Sequence, residues 1–581
     1  MKQFLITVAG VLVGLVLFLF IAPMVLIGMM APKAPDQPSQ MVLRLDLRGE
    51  MTDQTPESPF AAWGAEPSLM ETLTRLDGAR ADNRVKGLYI RANTDGMAPA
   101  QAEELRAAIA AFRQSGKFVI AHLQTDGARM SMPGYMTVAD SDEVWLQDVS
   151  EFQPMGLSAE ATFFAGTLQR YHMQAQFETR EEYKTAANSL TQRGFTPAHR
   201  EELTSMMTSI YDQMIADIAA DRELAPQAVR AAVEATPFTS QRAVELKLID
   251  KIGRPEDAER AALARAERAE VVDIEDYSPP QHSGEVIAVV QGEGPIVSGP
   301  GESGVFNDEQ MMNSDNVAAA LLEASDDEKV KAIVFRVSSP GGSVVASDQI
   351  LAALRTAQER GKKVVVSMGD VAASGGYYVA AYADEIVASP TTITGSIGVL
   401  GGKLIIGPAF DHYLSTNTET ITVGSPMVEM FTSERPFNQA ERAAFAGFID
   451  RAYQGFIGIV AEGRDMTRDQ AHALAHGRVW TGQQAMERHL VDHLGGFQVA
   501  VARARALAGI AEGARVQLRF YPEQRSPFEA IEQLFGASSE NAQAMARLNA
   551  ALADPRVRRA LAAMREEDAN VRAETERFDV R

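Results

Sequence analysis

The sequence contains no cysteine. That absence excludes disulfides, zinc-thiolate sites and a cysteine nucleophile together. Basic residues are also in short supply, 55 Lys and Arg against 77 Asp and Glu, for a formal net charge of -22. Charge of this sign disfavours nucleic acid as a partner, because phosphate binding needs a basic surface, and its plainer consequence is solubility. Histidine is present but uninformative. His472 and His476 have the i, i+4 spacing of a zinc-binding helix, yet Ala473 stands where a metalloprotease has its glutamate, so a solvated helix face is expected. Gly299 to Gly304 formally fits a dinucleotide glycine pattern, but Pro300 and the lack of a prompt helix read as a loop. No metal and no cofactor is expected.

At 581 residues the chain exceeds what one hydrophobic core usually organises. Its first segment, Phe4 to Met30, carries no charged side chain and is flanked by Lys2 and Lys33. At ~1.5 Å per residue such a helix spans the ~30 Å hydrocarbon layer. A cleaved signal peptide has a shorter apolar region and a small-x-small site. Here Met29 to Pro35 holds Pro32 and Pro35 instead, so residues 1–33 read as an uncut transmembrane anchor. Lys2 and the α-amine point to a cytoplasmic N-terminus, with the bulk of the chain outside the cytoplasm. Ala31 to Gln40, with three prolines, reads as a tether.

An internal repeat organises the rest. Phe238 to Gly253 recurs as Trp480 to Gly495, 242 positions later. At that offset Tyr135 faces Tyr377, Ala139 faces Ala381, Asp142 faces Asp384 and Tyr171 faces Tyr413. The copies run from 42 to 275 and from 284 to 520, divided near Tyr277-Ser-Pro-Pro280; residues 522–581 read as a charged helical extension. Each copy alternates apolar β-rich runs with helical segments, the pattern of an α/β fold with a mainly parallel sheet. In the second copy strands are expected at Val286 to Val290, Ala332 to Val337, Lys363 to Met368 and Glu385 to Ala388, with a helix over Ser347 to Arg360.

Two glycine-bearing turns in that copy, Ser338-Ser-Pro-Gly-Gly-Ser343 and Ala372-Ala-Ser-Gly-Gly-Tyr377, each follow a strand and open a helix, where backbone N–H groups point outward. Ser374 can present its hydroxyl there, and the N–H groups of Gly342 and Gly375 can hold a developing oxyanion. A plain helix cap is the competing reading. The first copy supplies a control: Met132 stands opposite Ser374, and Asp95-Gly-Met97 opposite Pro340-Gly-Gly342, so the fold does not demand the serine turn. A serine nucleophile needs a base, and with no histidine in a suitable context a desolvated lysine remains, which spacing alone does not select.

Together with Thr394-Gly-Ser-Ile-Gly398, the anchor and the degenerate first copy, these motifs resemble the signal peptide peptidase A (protease IV) family in its long two-domain form. The resemblance runs from the anchor to about residue 520. It implies a tandem duplication of a Clp/crotonase-like domain, and a serine endopeptidase that degrades cleaved signal peptides at the bacterial cytoplasmic membrane. It also implies a homotetramer with periplasmic catalytic domains, and a serine/lysine dyad drawn from both copies. The family's Tyr-Lys context matches Glu182-Tyr-Lys-Thr-Ala186, which makes Lys184 the base, with Pro426 opposite it in the second copy. A family serine beside the lysine amine maps to Ser396. Two rival readings are a crotonase-type acyl-CoA enzyme and a catalytically silent membrane scaffold.

Overall fold

The computed structural model describes residues 37–49, 51–55, 68–92, 97–125, 130–280, 283–301, 310–511 and 513–522. The expected anchor at 1–33, the extension beyond 522, Asp95 and the end of the Gly299 to Gly304 loop lie outside the described residues. Among the described residues, no helix is long and apolar enough to cross a membrane.

Two sheets organise the chain. The first has six strands in the order Lys251–Ile252, Glu143–Leu146, Phe118–Leu123, Val85–Ala92, Met41–Asp46 and Glu270–Asp273, all parallel. The second has eight strands. Its main path runs Val479–Thr481, Ile393–Gly395, Lys363–Ala373, Val330–Ser339, Glu285–Glu293 and Val516–Tyr521, with Glu385–Ala388 and His493–Leu494 branching from it. Only the pairing of Ile393–Gly395 with Val479–Thr481 is antiparallel in this sheet. Helical crossovers cover a parallel sheet on both faces, which is why its strands are rich in apolar residues. Val364, Val365, Val366 and Met368 are all fully buried.

The duplication is visible in side-chain detail. Tyr135 donates its hydroxyl to the Leu248 carbonyl at 2.6 Å, and Tyr377 donates to Leu490 at 2.9 Å. Asp250 accepts the Val144 N–H and pairs with Arg222; Asp492 accepts the Ile386 N–H and pairs with Arg464. The long helices Pro197–Asp221 and Gln439–Gly463 have the same length, 25 residues, and are likewise 242 positions apart.

The two copies are interlocked. Because side chains alternate across a strand, one face of the second sheet (Ile287, Val289, Val334, Val365) joins the core that holds Leu43, Ile90 and Ala121 of the first. The other face (Ala288, Val290, Ile333, Phe335, Val364) packs under its own helices. At the junction Arg336, fully buried, donates to Asp53 at 2.9 Å and to Glu104 at 2.7 Å. A buried guanidinium is tolerable only when its donors are matched in this way. An antiparallel ribbon, Gln174–Thr179 against Leu400–Ile405, also crosses from one copy to the other.

The strands expected at Val286 to Val290 and Ala332 to Val337 extend to Glu285–Glu293 and Val330–Ser339, and two further elements also differ from expectation. The strand beginning at Lys363 continues past Met368 to Ala373, because after a register irregularity Ala372 pairs with Ser339 and Ala372–Ala373 also pair with Thr394–Gly395. Asp370 is accommodated within the strand by accepting the Ser338 hydroxyl at 2.5 Å. The helix expected from Ser347 begins at Val344, where Ser343 caps it by accepting the Ala346 N–H.

Candidate active site

Ser374 follows directly on the strand Lys363–Ala373 and precedes the short helix Gly375–Ala380. Its backbone, φ 53° and ψ -117°, lies in a region that side-chain-bearing residues rarely adopt, at a cost of ~1–3 kcal/mol. The strand pairing on one side and a Ser374 N–H to Gly395 O bond of 2.8 Å hold it there. A sharp strand-to-helix turn of this kind aims the hydroxyl away from the backbone. The capping alternative fails here, because the Ser374 side chain makes no cap bond. In the first copy the corresponding helix, Met132–Val138, is capped in the ordinary way: Ser131, with φ -72°, accepts the Gly134 N–H at 3.2 Å.

The turn Pro340-Gly-Gly342 lies against Ser374. Gly341 has φ 101°, and a Cβ there would stand 2.6 Å from Gly375 N and 2.8 Å from Ser374 Cβ. Only glycine allows this approach. Gly342 N in turn lies 3.1 Å from where a Cβ on Gly375 would be. Among the described residues neither the Gly342 nor the Gly375 N–H has an acceptor. Two amide donors thus lie at the serine turn without an acceptor, the kind of group that stabilises an oxyanion.

Lys184 reaches this hydroxyl from the other copy, 190 residues earlier. The ribbon brings it there: its continuation donates Arg180 N–H to Val399 O and Tyr183 N–H to His476 O, both at 3.2 Å. Gly477 packs on the Lys184 backbone, so closely that a Cβ would stand 2.6 Å from Lys184 N. The lysine is buried, not surface-exposed. Its Nζ donates to Ser374 Oγ at 3.0 Å, to Ser396 Oγ at 2.9 Å and to Ser396 O at 2.9 Å. Ser396 is itself held in a positive-φ conformation (50°) by its N–H bond to Arg478 O at 2.7 Å.

Burial pushes the Lys184 amine down from 10.5 to about 8, against the opposing pull of Glu202. About one amine in ten is then neutral at pH 7, against about one in three thousand for an ordinary lysine. The ammonium form has three donors for three oxygens. Once neutral, the amine keeps two N–H bonds for Ser396 and turns its lone pair to the Ser374 hydroxyl.

The five residues singled out in sequence, Ser374, Lys184, Gly342, Gly375 and Ser396, are therefore brought together. His472 and His476 are not part of this cluster. The helix Arg468–Leu474 contains only His472, while His476 follows it in a left-handed conformation. Both are partly exposed and face Glu181 and Glu182 at 3.4–3.7 Å. Sequence reasoning missed Glu202, whose buried carboxylate accepts the Val479 N–H at 2.7 Å and lies behind the lysine. The available signal was Ala444 at the same repeat offset.

Known proteins place this geometry in context. The model of peptidase family S49 matches residues 111–269 and 356–511, and that of Clp protease matches 305–392. The chain is 29% identical to Protease 4 of Salmonella typhi over 80% of its own length and 76% of the relative. It is 28% identical to the chloroplastic serine protease SPPA of Arabidopsis thaliana, covering 82% and 70% of the two chains. Against Protease 4 of Haemophilus influenzae the identity is 27%, over 78% and 74%.

Proposed function

Because the chain belongs to peptidase family S49 and is a serine protease of tandem α/β design, we propose that it is a membrane-anchored endopeptidase that degrades cleaved signal peptides. In this reading residues 1–33 anchor it in the bacterial cytoplasmic membrane with the N-terminus inside, and the copies at 42–275 and 284–520 lie on the outer face. The first copy supplies Lys184 and the second Ser374. Four chains assemble.

The observation that carries the reading is the 3.0 Å contact between the buried Lys184 amine and the hydroxyl of Ser374, whose backbone is strained. Neutral Lys184 takes the Ser374 proton as Oγ attacks the peptide carbonyl. The Gly342 and Gly375 N–H groups receive the oxyanion, a role worth ~3–4 kcal/mol per donor in comparable sites. The lysine ammonium, oriented by Ser396, then protonates the leaving amine. A water deprotonated by the same amine releases the acyl group and restores Ser374.

Ser374→Ala and Lys184→Ala should each lose peptide hydrolysis, and labelling by a fluorophosphonate should be lost with Ser374. Full hydrolysis by Ser374→Ala would overturn the nucleophile, and full hydrolysis by Lys184→Ala the base. The anchor is tested by resistance of the full chain to alkaline extraction from membranes, and the substrate class by comparing an apolar signal peptide with a polar peptide of equal length. Light scattering in detergent tests the tetramer.

A further inference from the structure

The proton transfers above make no use of Glu202, yet its surroundings are built. It lies on the helix Pro197–Asp221 and is 3% exposed. One carboxylate oxygen accepts the Val479 N–H at 2.7 Å, and the other lies 3.5 Å from the hydroxyl of Thr185, the residue after the lysine. Val479 adjoins Arg478, whose carbonyl holds the Ser396 N–H. Glu202 thus joins the loop that carries Lys184 to the segment that fixes the lysine's other partner.

The repeat again provides a control. The equivalent helix of the second copy, Gln439–Gly463, has Ala444 at this position. Ala444 is exposed, so the repeat neither buries this position nor needs a carboxylate there; only the copy that holds the lysine does both. The carboxylate occurs in the copy that holds the lysine and is absent from the copy with Pro426. An isolated buried carboxylate is costly. Resting on the dyad reading, we propose that Glu202 is a positioning residue of the Ser374–Lys184 pair, holding the lysine loop against the Ser396 turn and giving Lys184 a negative counter-charge.

The charged groups acting on Glu202 are Arg478 and Lys184. Arg478 is shared, since it pairs with Glu201 at 2.8 Å and stacks over Tyr183 and Trp480. His199, one turn earlier, packs against Phe163 and Phe195, and burial lowers its pKa, which keeps it neutral. Burial lifts the Glu202 carboxyl to about 7, with Val479 N–H, Arg478 and Lys184 opposing. When ionised, it favours the lysine ammonium. Its removal should therefore let the amine lose its proton at lower pH.

The test is the pH profile of kcat/KM on a peptide amide for the full chain, its Glu202→Gln, Glu202→Ala and Glu202→Asp variants, and Lys184→Ala. Glutamine keeps an acceptor for Val479 without the charge, and alanine is the residue the sister helix carries. Both should move the acidic limb down by ~0.5–1 pH unit, while aspartate retains the wild-type limb. Alanine should in addition lower kcat at the plateau about tenfold, for want of the strap. Limbs of the Gln and Ala variants that superimpose on wild type would overturn the proposal, even with Lys184→Ala inactive. Activity in Lys184→Ala would instead overturn the dyad itself.

Discussion

Replacing Lys184 by methionine should abolish hydrolysis and yet stabilise the protein at neutral pH. The lysine is buried and its amine sits at about 8, against 10.5 for the same group in water. Holding the ammonium in that site at pH 7 therefore costs ~3 kcal/mol. Methionine fills a similar volume without charge, but strips a donor from Ser374 Oγ and from the two Ser396 oxygens, which returns ~1–2 kcal/mol. A net gain of ~1–2 kcal/mol remains. Its pH dependence is the sharper signature. Below pH 8 the lysine is protonated both folded and unfolded, and the full penalty applies. Between 8 and 10.5 the folded state has released its proton while the unfolded chain still binds one, so wild-type stability rises with pH relative to the variant. Above 10.5 the penalty is gone. Urea unfolding of both proteins at pH 7 and pH 10 measures this directly. A methionine variant less stable than wild type at pH 7, or a difference that does not shrink by pH 10, would show that the ammonium is adequately solvated where it lies.

Three further outcomes are expected. For wild type, kcat/KM should rise with pH through an apparent pKa near 8, because the proposed base is the neutral Lys184 amine; a profile flat from pH 6 to 9 would contradict this. Gly341→Ala should cut kcat by at least ~10²-fold, since its Cβ would press on Gly375 N and Ser374 Cβ at 2.6–2.8 Å, with a loss of ~2–4 kcal/mol in stability, read by denaturant titration. Arg336→Met leaves Asp53 and Glu104 buried without their cation, and should cost ~3–5 kcal/mol in the same titration.

Much of the architecture is legible in the sequence because its physical causes are local. Parallel strands buried on both faces give apolar runs such as Val364 to Val366, and the register of the repeat follows from Tyr135 and Tyr377, each tied to a carbonyl 113 residues on. Strand ends are less legible. Gly369-Asp370 has turn composition, and only the neighbouring Ser338 and the pairing of Ala372 explain its extended backbone. The meeting of Lys184 with Ser374 is not legible from spacing at all, since a ribbon between the copies makes it, and sequence selects the lysine only through the family resemblance. Glu202 carries no motif. A single helix residue becomes informative only when Ala444 is set against it and its burial is known.

Dividing the proposed pair between copies has a mechanical consequence. A misplacement of about 1 Å at reacting atoms can cost ~10²-fold in rate. The Lys184 Nζ to Ser374 Oγ distance is set by everything that fixes one copy on the other: the ribbon of Gln174–Thr179 and Leu400–Ile405, the shared core, and the Arg336 cluster. Within either copy the sheet can be fully formed while that distance is wrong. A change in the ribbon that shifts one copy on the other, leaving the shared core and the Arg336 cluster intact, should first appear as a lower kcat with little change in melting.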